Sequence, residues 1–573
     1  MEYKSEKRIC QNCKKDFTIE PEDFSFYEKI QVPPPTFCPE CRMIRRMIWR
    51  NMRALYKREC GLCKKFLISM YSDGAPVYCH DCFYGDKWDP RNYGLDYDFS
   101  ENFFVQLKEL LKIVPRLYRF AYNRLINSDY VNFARDNKNA YLCYSITDCE
   151  DVMYSENIDL SKNSLDSFGV IKIDNSSYNT DCENNYNTHW AIQTNNCLDS
   201  YFLYDCNNCQ NCCLSSNLRN QKYYFENKKL FKGEYEKKVA NLHLEKFSGL
   251  EKVREDFDKL IHYDTIHKYA LIYASQNVTG NFVRHSKNVV DSFDIGTDSE
   301  SVAFSARVIC GKDLYDCQGS NKGEFSYESI APSMNAFRII GGYLNIIGCR
   351  ECEYSLIMKN CRNCFGCVGM TNSEYCLLNK QYSKEEYFSL IERVKKQMTE
   401  LPYVDVKSRI FKYGEYFPYD LCPFGYNETQ AHDLFNLKKE EALKKGYPWK
   451  EREKRNYNIT CQSSDLPDSI KDVPDEILNE VIACPNEGNQ DFQCSSAYRI
   501  MPFELQFYRQ KSLPLPRYCP NCRHYQRLKY RNPYKLWHRK CMHEGCQNEF
   551  ETSYAPERPE IVYCERCYNQ EVY

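Results

Sequence analysis

Thirty-four of the 573 residues are cysteine, and they are grouped rather than scattered. The first 82 positions hold four C-x-x-C pairs, Cys10/Cys13, Cys38/Cys41, Cys60/Cys63 and Cys79/Cys82. No apolar leader opens the chain (MEYKSEKRIC), and no apolar run long enough to span a bilayer follows, so a soluble, cytoplasmic protein is expected. In a reducing compartment such thiols read as metal ligands and buried side chains rather than disulfides. Eight paired thiolates make two tetrahedral zinc sites, since two intervening residues let one knuckle supply half a tetrahedron. Four protein ligands leave no position for water or substrate, so the metal is expected to be structural.

Sequential pairing is favoured, because Cys60/Cys63 and Cys79/Cys82 flank a short strand-like segment with a turn at Asp73-Gly74. Spacing alone leaves open an interleaved scheme in which the first and third pairs share one ion. The last 90 or so residues repeat the module in register: Ile19, Pro21, Phe26-Tyr27, Pro33, Pro35, Arg42, Arg46, Arg50-Asn51, Leu55 and Arg58 recur as Ile500, Pro502, Phe507-Tyr508, Pro514, Pro516, Arg523, Arg527, Arg531-Asn532, Leu536 and Arg539. Its expected ligands are Cys484, Cys494, Cys519, Cys522, Cys541, Cys546, Cys564 and Cys567, giving about four structural zinc ions in all. Nine residues separate Cys484 from Cys494 instead of two, so Cys461 and His524 stand as substitutes for it.

Cys10, Cys13, Phe17, Phe26-Tyr27, Cys38 and Cys41-Arg42 give a pattern that resembles the bacterial "probable zinc-ribbon" module of treble-clef type. Cys494, Tyr498, Phe507-Tyr508, Cys519 and Cys522-Arg523 carry it in the second copy. With stretches such as PFGYNETQA and DLPDSIKDVPDEIL, the whole chain resembles uncharacterised multi-zinc-finger proteins of environmental bacterial genomes. That resemblance implies metal binding and no established activity.

Between positions 127 and 220 stand 18 Asn in 94 residues, interleaved with Tyr, Cys and Ser. Asp181-Cys182 and Asp205-Cys206 are 24 apart, as are Asn196 and Asn220, the size of a parallel β-solenoid coil with Asn and Cys ladders inside. The block is doubled: SKNSLDSFGV at Ser161 returns as SKNVVDSFDI at Ser286, and Cys197, Cys206, Cys209 and Cys212 return as Cys352, Cys361, Cys364 and Cys367. The offset between copies rises from 125 to 155, as an insertion of about 30 residues, roughly one coil, would produce. The C-x2-C-x2-C runs invite comparison with iron–sulfur ligands, but neither ends in Cys-Pro, and packed thiols are the better reading.

The expected fold is therefore mainly β with α: a duplicated parallel β-solenoid flanked by N- and C-terminal tandem treble-clef/zinc-ribbon modules. Its expected parts are a zinc module (1–90), a helical connector (91–126), solenoid half one (127–231), a helical connector (232–270), half two (271–400), a connector lying over the solenoid (401–478) and the second zinc module (479–573). A helix after each half would cap the stack.

Net charge is −2, from 77 Lys plus Arg against 79 Asp plus Glu, so any basic surface must be local. Residues 42–58 and 523–540 each hold seven Arg or Lys and no acid. Arg42, Arg46, Arg50 and Arg58, with Arg523, Arg527, Arg531 and Arg539, are the candidate nucleic-acid contacts, RNA or DNA, because i+4 spacing lines guanidinium groups along one helix face. The competing expectation is that they balance zinc–thiolate charge and that the solenoid binds a protein or glycan partner. No metalloprotease, deaminase, nucleophile-elbow or phosphate-loop signature occurs, so a non-enzymatic scaffold with no small-molecule substrate is expected.

Overall fold

The computed structural model describes residues 3–72, 74–451 and 456–573. Asp73 of the expected turn and positions 452–455 of the connector lie outside the described residues. The fold is mainly β with some helices.

Its centre is a column of parallel strands in which each residue pairs with one about 12 positions further on: Val131 with Cys143, Tyr144 with Glu156, Leu198 with Gln210. The rule continues through isolated bridges such as Lys162 with Asp174 and Asp174 with Tyr186. The 24-residue spacing expected for one coil thus spans two. A local rule of three builds this coil. From Phe133 to Glu226 every third residue has positive φ, and two positions before most of these a small or apolar side chain points inward, as at Val131, Ala134, Ala140 and Cys143, with buried amides at Asn137, Asn179 and Asn185. Left-handed backbone suits Asn and Asp, whose short side chains bond locally. That explains the asparagine richness, and it places most of the amide ladders outside rather than inside. Asn127 donates to Asn139 (3.1 Å) and Asn208 to Asn220 (2.7 Å), both exposed.

The interior ladder is made by thiols and hydroxyls, joined by the buried amides of Asn137, Asn179 and Asn185. Cys206 Sγ faces the carbonyls of Tyr204 and Ser215 (3.4 and 3.7 Å), and Thr188 Oγ1 bonds those of Tyr186 and Cys197 (3.0 and 3.1 Å). An inward donor two residues after one carbonyl and nine before another joins successive coils.

The second column, from Ile272 to Gln381, is less regular, with steps of 11 to 13 residues; examples are Gln276 with Lys287, Leu356 with Val368 and Arg350 with Phe337. Each column closes with a short antiparallel turn, Lys222–Phe225 against Lys228–Lys229 and Glu374–Leu377 against Lys380–Gln381, then a helix, Lys232–Ala240 or Lys384–Glu400. This turns the open parallel edge away from further pairing. The columns lie alongside each other and run in opposite directions, since Arg284 meets Glu183 (2.9 Å) while Arg307 approaches Glu156 (3.5 Å).

The cysteine-rich ends dock crosswise. Phe26 of the first end stacks on Tyr315 of the second column, with ring centroids 3.9 Å apart, and the Phe103–Ile113 helix packs Phe103 against Tyr354 and Phe365. The C-terminal end covers the first column, where Glu504 accepts from Tyr154 (2.9 Å) and Phe507 and Tyr508 join the core around Trp190 and Phe202. Residues 401–451 are more than an overlying connector. Phe411, Tyr416, Phe417, Tyr419 and Tyr426 are buried in the core shared by the first end and the second column.

Candidate metal centres and the arginine clamps

Sixteen cysteines gather into four quartets: Cys10/Cys13/Cys38/Cys41, Cys60/Cys63/Cys79/Cys82, Cys484/Cys494/Cys519/Cys522 and Cys541/Cys546/Cys564/Cys567. The pairing is sequential, and Cys484 takes its place despite the longer spacing. Cys461 lies outside the quartet, beside Ile482 in an isolated bridge.

Local structure builds each quartet the same way. A hairpin such as Glu6–Ile9 with Asp16–Ile19 delivers the first two thiols on a tight turn, in which Lys14 N–H bonds the Cys10 carbonyl (3.0 Å). Lys14 and Lys64 hold the same left-handed conformation in the first two turns. The third cysteine, Cys38, Cys79, Cys519 or Cys564, is the N-cap of a short helix, and the fourth sits in its first turn. Pro39 and Pro520 occupy the first helical position, where no N–H is needed. Thiolates thus lie at the positive end of a helix, which favours the ionised form.

Backbone donors complete the nests: Cys38 N–H to Cys10 Sγ (3.3 Å), Cys79 to Cys60 (3.4 Å), Cys519 to Cys484 (3.4 Å) and Cys564 to Cys541 (3.2 Å). At Cys60 burial opposes ionisation, but backbone bonds from Cys63, Cys79 and Leu62 prevail and bring the thiol down to about 6. Cys10 is held well below the usual thiol range by side-chain bonds from Cys38 and Cys41.

The geometry fits a zinc–thiolate site. Sγ–Sγ separations are 3.7 Å for Cys13/Cys38, 3.8 Å for Cys63/Cys79 and Cys484/Cys522, and 3.9 Å for Cys494/Cys519 and Cys546/Cys564. A tetrahedron with zinc–sulfur bonds of about 2.3 Å has edges of about 3.8 Å. Asn12 and Asn486 each point an amide at the fourth sulfur of their quartet, Cys41 (3.3 Å) and Cys522 (3.1 Å).

The basic helices are placed otherwise than expected. Arg42, Arg46, Arg50, Arg523, Arg527 and Arg531 are all buried, none more than 8 % exposed. They cannot present a phosphate-binding stripe in this fold. Asp316 accepts from both Arg42 and Arg46 (2.9 Å each), and Arg46 also donates to the Phe304 carbonyl (3.0 Å). On the other side Asp166 accepts from Arg527 (2.6 Å) and lies 3.3 Å from Arg523, while Arg527 donates to the Tyr154 carbonyl (2.9 Å). Arg531 bridges Asp181 (2.9 Å) and Asp294 (2.7 Å), one carboxylate from each column. Arg50 lies over the Phe133 ring, 4.2 Å from its centroid. Arg58 and Arg539 are half-buried and turn toward the backbone of their own modules, at Tyr71, Ala75 and Ala555.

Five of the eight, Arg42, Arg46, Arg523, Arg527 and Arg531, are counter-charges to column carboxylates rather than to zinc thiolates. The helix spacing was visible in sequence. The partners were not, because Asp166 and Asp316 are two among 79 acids and are singled out only by the crossed docking.

Sequence reasoning also missed a fifth grouping, Glu156, Asp433 and His524, where the first column, the 401–451 segment and the C-terminal end converge. His524 Nε2 lies 3.8 Å from Glu156 and 4.0 Å from Asp433. Tyr525 donates to Asp433 (2.6 Å), and Arg53 and Arg307 stand 3.6 and 3.5 Å from Glu156. Two guanidinium groups already balance the two carboxylates, so the donor set needs no cation. No motif joins these three positions.

Compared with known proteins, the chain matches no protein-family model and no curated protein.

Proposed function

We propose that this protein is a non-enzymatic scaffold. Four structural zinc ions fold two treble-clef-type modules, and these modules clamp a duplicated β-solenoid crosswise. The thiol quartets carry this reading: four sulfurs at tetrahedral spacing close the ion's coordination and leave no place for a substrate. Membership of the bacterial zinc-ribbon type is part of the same proposal, as is a division into modules near residues 90 and 479. The columns' exposed faces, with their outward Asn and Asp ladders, are the surface offered to a protein or glycan partner. Among the described residues no helix is long and apolar enough to cross a membrane.

The nucleic-acid reading has lost its carrier, because six of its eight arginines are engaged inside the molecule. Retention of labelled RNA and DNA oligonucleotides at low salt tests the choice. The scaffold reading expects no salt-sensitive binding by the intact protein, and expects Arg46→Gln and Arg527→Gln to weaken folding rather than any ligand affinity. Tight binding that falls steeply with ionic strength, and is lost in variants that keep wild-type stability, would overturn it.

A further inference from the structure

The interior of the second column changes character near its capped end. From Cys349 to Cys376 the inward positions are Cys349, Cys352, Ser355, Met358, Cys361, Cys364, Cys367, Met370, Ser373 and Cys376. One buried cluster joins all six of these cysteines and both methionines with Ala336 and Ile339, and none of the inward positions carries a charge. Every one of its sulfur-bearing residues is at most 1 % exposed.

Register stacks like on like. Cys352 pairs with Cys364 and Cys364 with Cys376, and the bridge from Lys359 to Thr371 sets Met358 beneath Met370. Packing alone does not demand this. In the first column the corresponding cysteines, Cys197, Cys206, Cys209 and Cys212, share their cluster with Val, Ile, Leu and Ala, and methionine is absent from it. Serine, too, fills inward positions with the same carbonyl bonds, as Ser355 does to the carbonyls of Glu353 (2.9 Å) and Cys364 (3.5 Å).

The coordination number follows from spacing. Among the described residues, only the four terminal quartets and the Glu156/Asp433/His524 group bring three or more ligand atoms within 4.8 Å of one another. The column sulfurs therefore do not form a tetrahedral zinc site. Register sets them in pairs one coil apart, Cys352 with Cys364 and Cys364 with Cys376, and a soft, monovalent ion takes sulfur ligands in low coordination. Charge points the same way. One thiolate with a neutral thioether or thiol partner cancels a single positive charge, and the proton displaced from that thiol leaves to solvent as the ion enters. A divalent ion would need a second thiolate in an interior that holds no other charge.

We propose that the sulfur-lined end of the second column, centred on Cys352, Cys364 and Cys376 with Met358 and Met370 in the same buried cluster, is a site for copper(I). Full burial means that the ion enters as the column folds. The site is separate from the proposed zinc quartets and is read separately from them.

The test is to express the full chain in copper-supplemented cells, purify it without oxygen and count copper and zinc per chain. Wild type should carry copper while its zinc count stays unchanged, with a copper–sulfur shell in X-ray absorption. The column variant Cys352→Ser/Cys364→Ser/Cys376→Ser should lower copper roughly tenfold or more. It should keep zinc and melting temperature, because serine already serves at neighbouring inward positions. Met358→Leu/Met370→Leu, which conserves volume, should weaken copper retention if the serine variant does not fold. Cys149→Ser in the first column should change nothing. Copper at background in wild type, copper gained only as zinc is lost, or copper undiminished in both variants would overturn the proposal.

Discussion

The two clamps differ in an instructive way. On both sides an arginine pair one helical turn apart grips a single buried aspartate, and its second member also takes a backbone carbonyl: Arg42 and Arg46 on Asp316 and Phe304, Arg523 and Arg527 on Asp166 and Tyr154. Around this common core the contacts have parted. The first end adds Arg45, which pairs with Glu328 and Glu415; its counterpart in the repeat is Gln526. The second end adds Arg531, which ties the two columns together through Asp181 and Asp294, whereas its counterpart Arg50 packs on Phe133. What the duplication kept is the part that fixes where a module sits on a column. What it let drift are ion pairs that can be replaced by packing.

The largest effect should come from the metal. Structural zinc contributes on the order of 10–16 kcal/mol to folding its module, so a strong chelator should unfold both ends. Proteolysis followed by mass spectrometry should then show cleavage spreading from both termini while fragments of the columns persist. Uniform digestion of the whole chain would show that the columns have no stability of their own.

Next in size are the shared aspartates. Asp316→Asn and Asp166→Asn each take the carboxylate from one buried guanidinium group, Arg42 or Arg527, while Arg46 keeps Glu328 and Arg523 keeps Glu504 (3.1 Å each), and each should cost about 3–5 kcal/mol in chemical denaturation. Near-equal losses would show the two clamps to be energetic equivalents. A much smaller loss at Asp166 would mean that Arg531 and its two aspartates carry the second side.

A third effect distinguishes the regions by pH. His267 is buried beside Tyr204 and Tyr554, and burial lowers its pKa to about 4. The unfolded ring titrates near 6.5, so the fold favours the neutral form; that stability is complete above about pH 6.5 and is lost as pH falls toward about 4, roughly 3 kcal/mol in all. His267→Gln should flatten this part of the stability profile relative to wild type, and an unchanged slope would exclude the residue.

The smallest effect concerns the rule of three. Asn208 is exposed with φ of 53°, so Asn208→Ala should cost about 1 kcal/mol, and Asn208→Gly roughly half that or less. Equal effects would show that the side-chain ladder, rather than the backbone conformation, is what asparagine supplies.

Much of this was legible in the residues. The paired cysteines foretold which thiols meet, because a knuckle and a helix cap are local structures. The doubled blocks foretold two columns and their capping helices. The coil length was misjudged because Asp181-Cys182 and Asp205-Cys206 repeat every second turn, and the shorter step appears only as the recurrence of left-handed positions at every third residue. Nothing local in Arg42 or Arg527 distinguishes a guanidinium bound for phosphate from one bound for a buried carboxylate. That choice rests on partners hundreds of residues away, as does the meeting of Glu156, Asp433 and His524.

The most direct test of the central claim is elemental analysis of the native protein combined with zinc-edge X-ray absorption. The account predicts four zinc ions per chain, each in an all-sulfur shell at about 2.3 Å. Ends that carry no metal, or zinc in a nitrogen and oxygen shell with an open position, would contradict it.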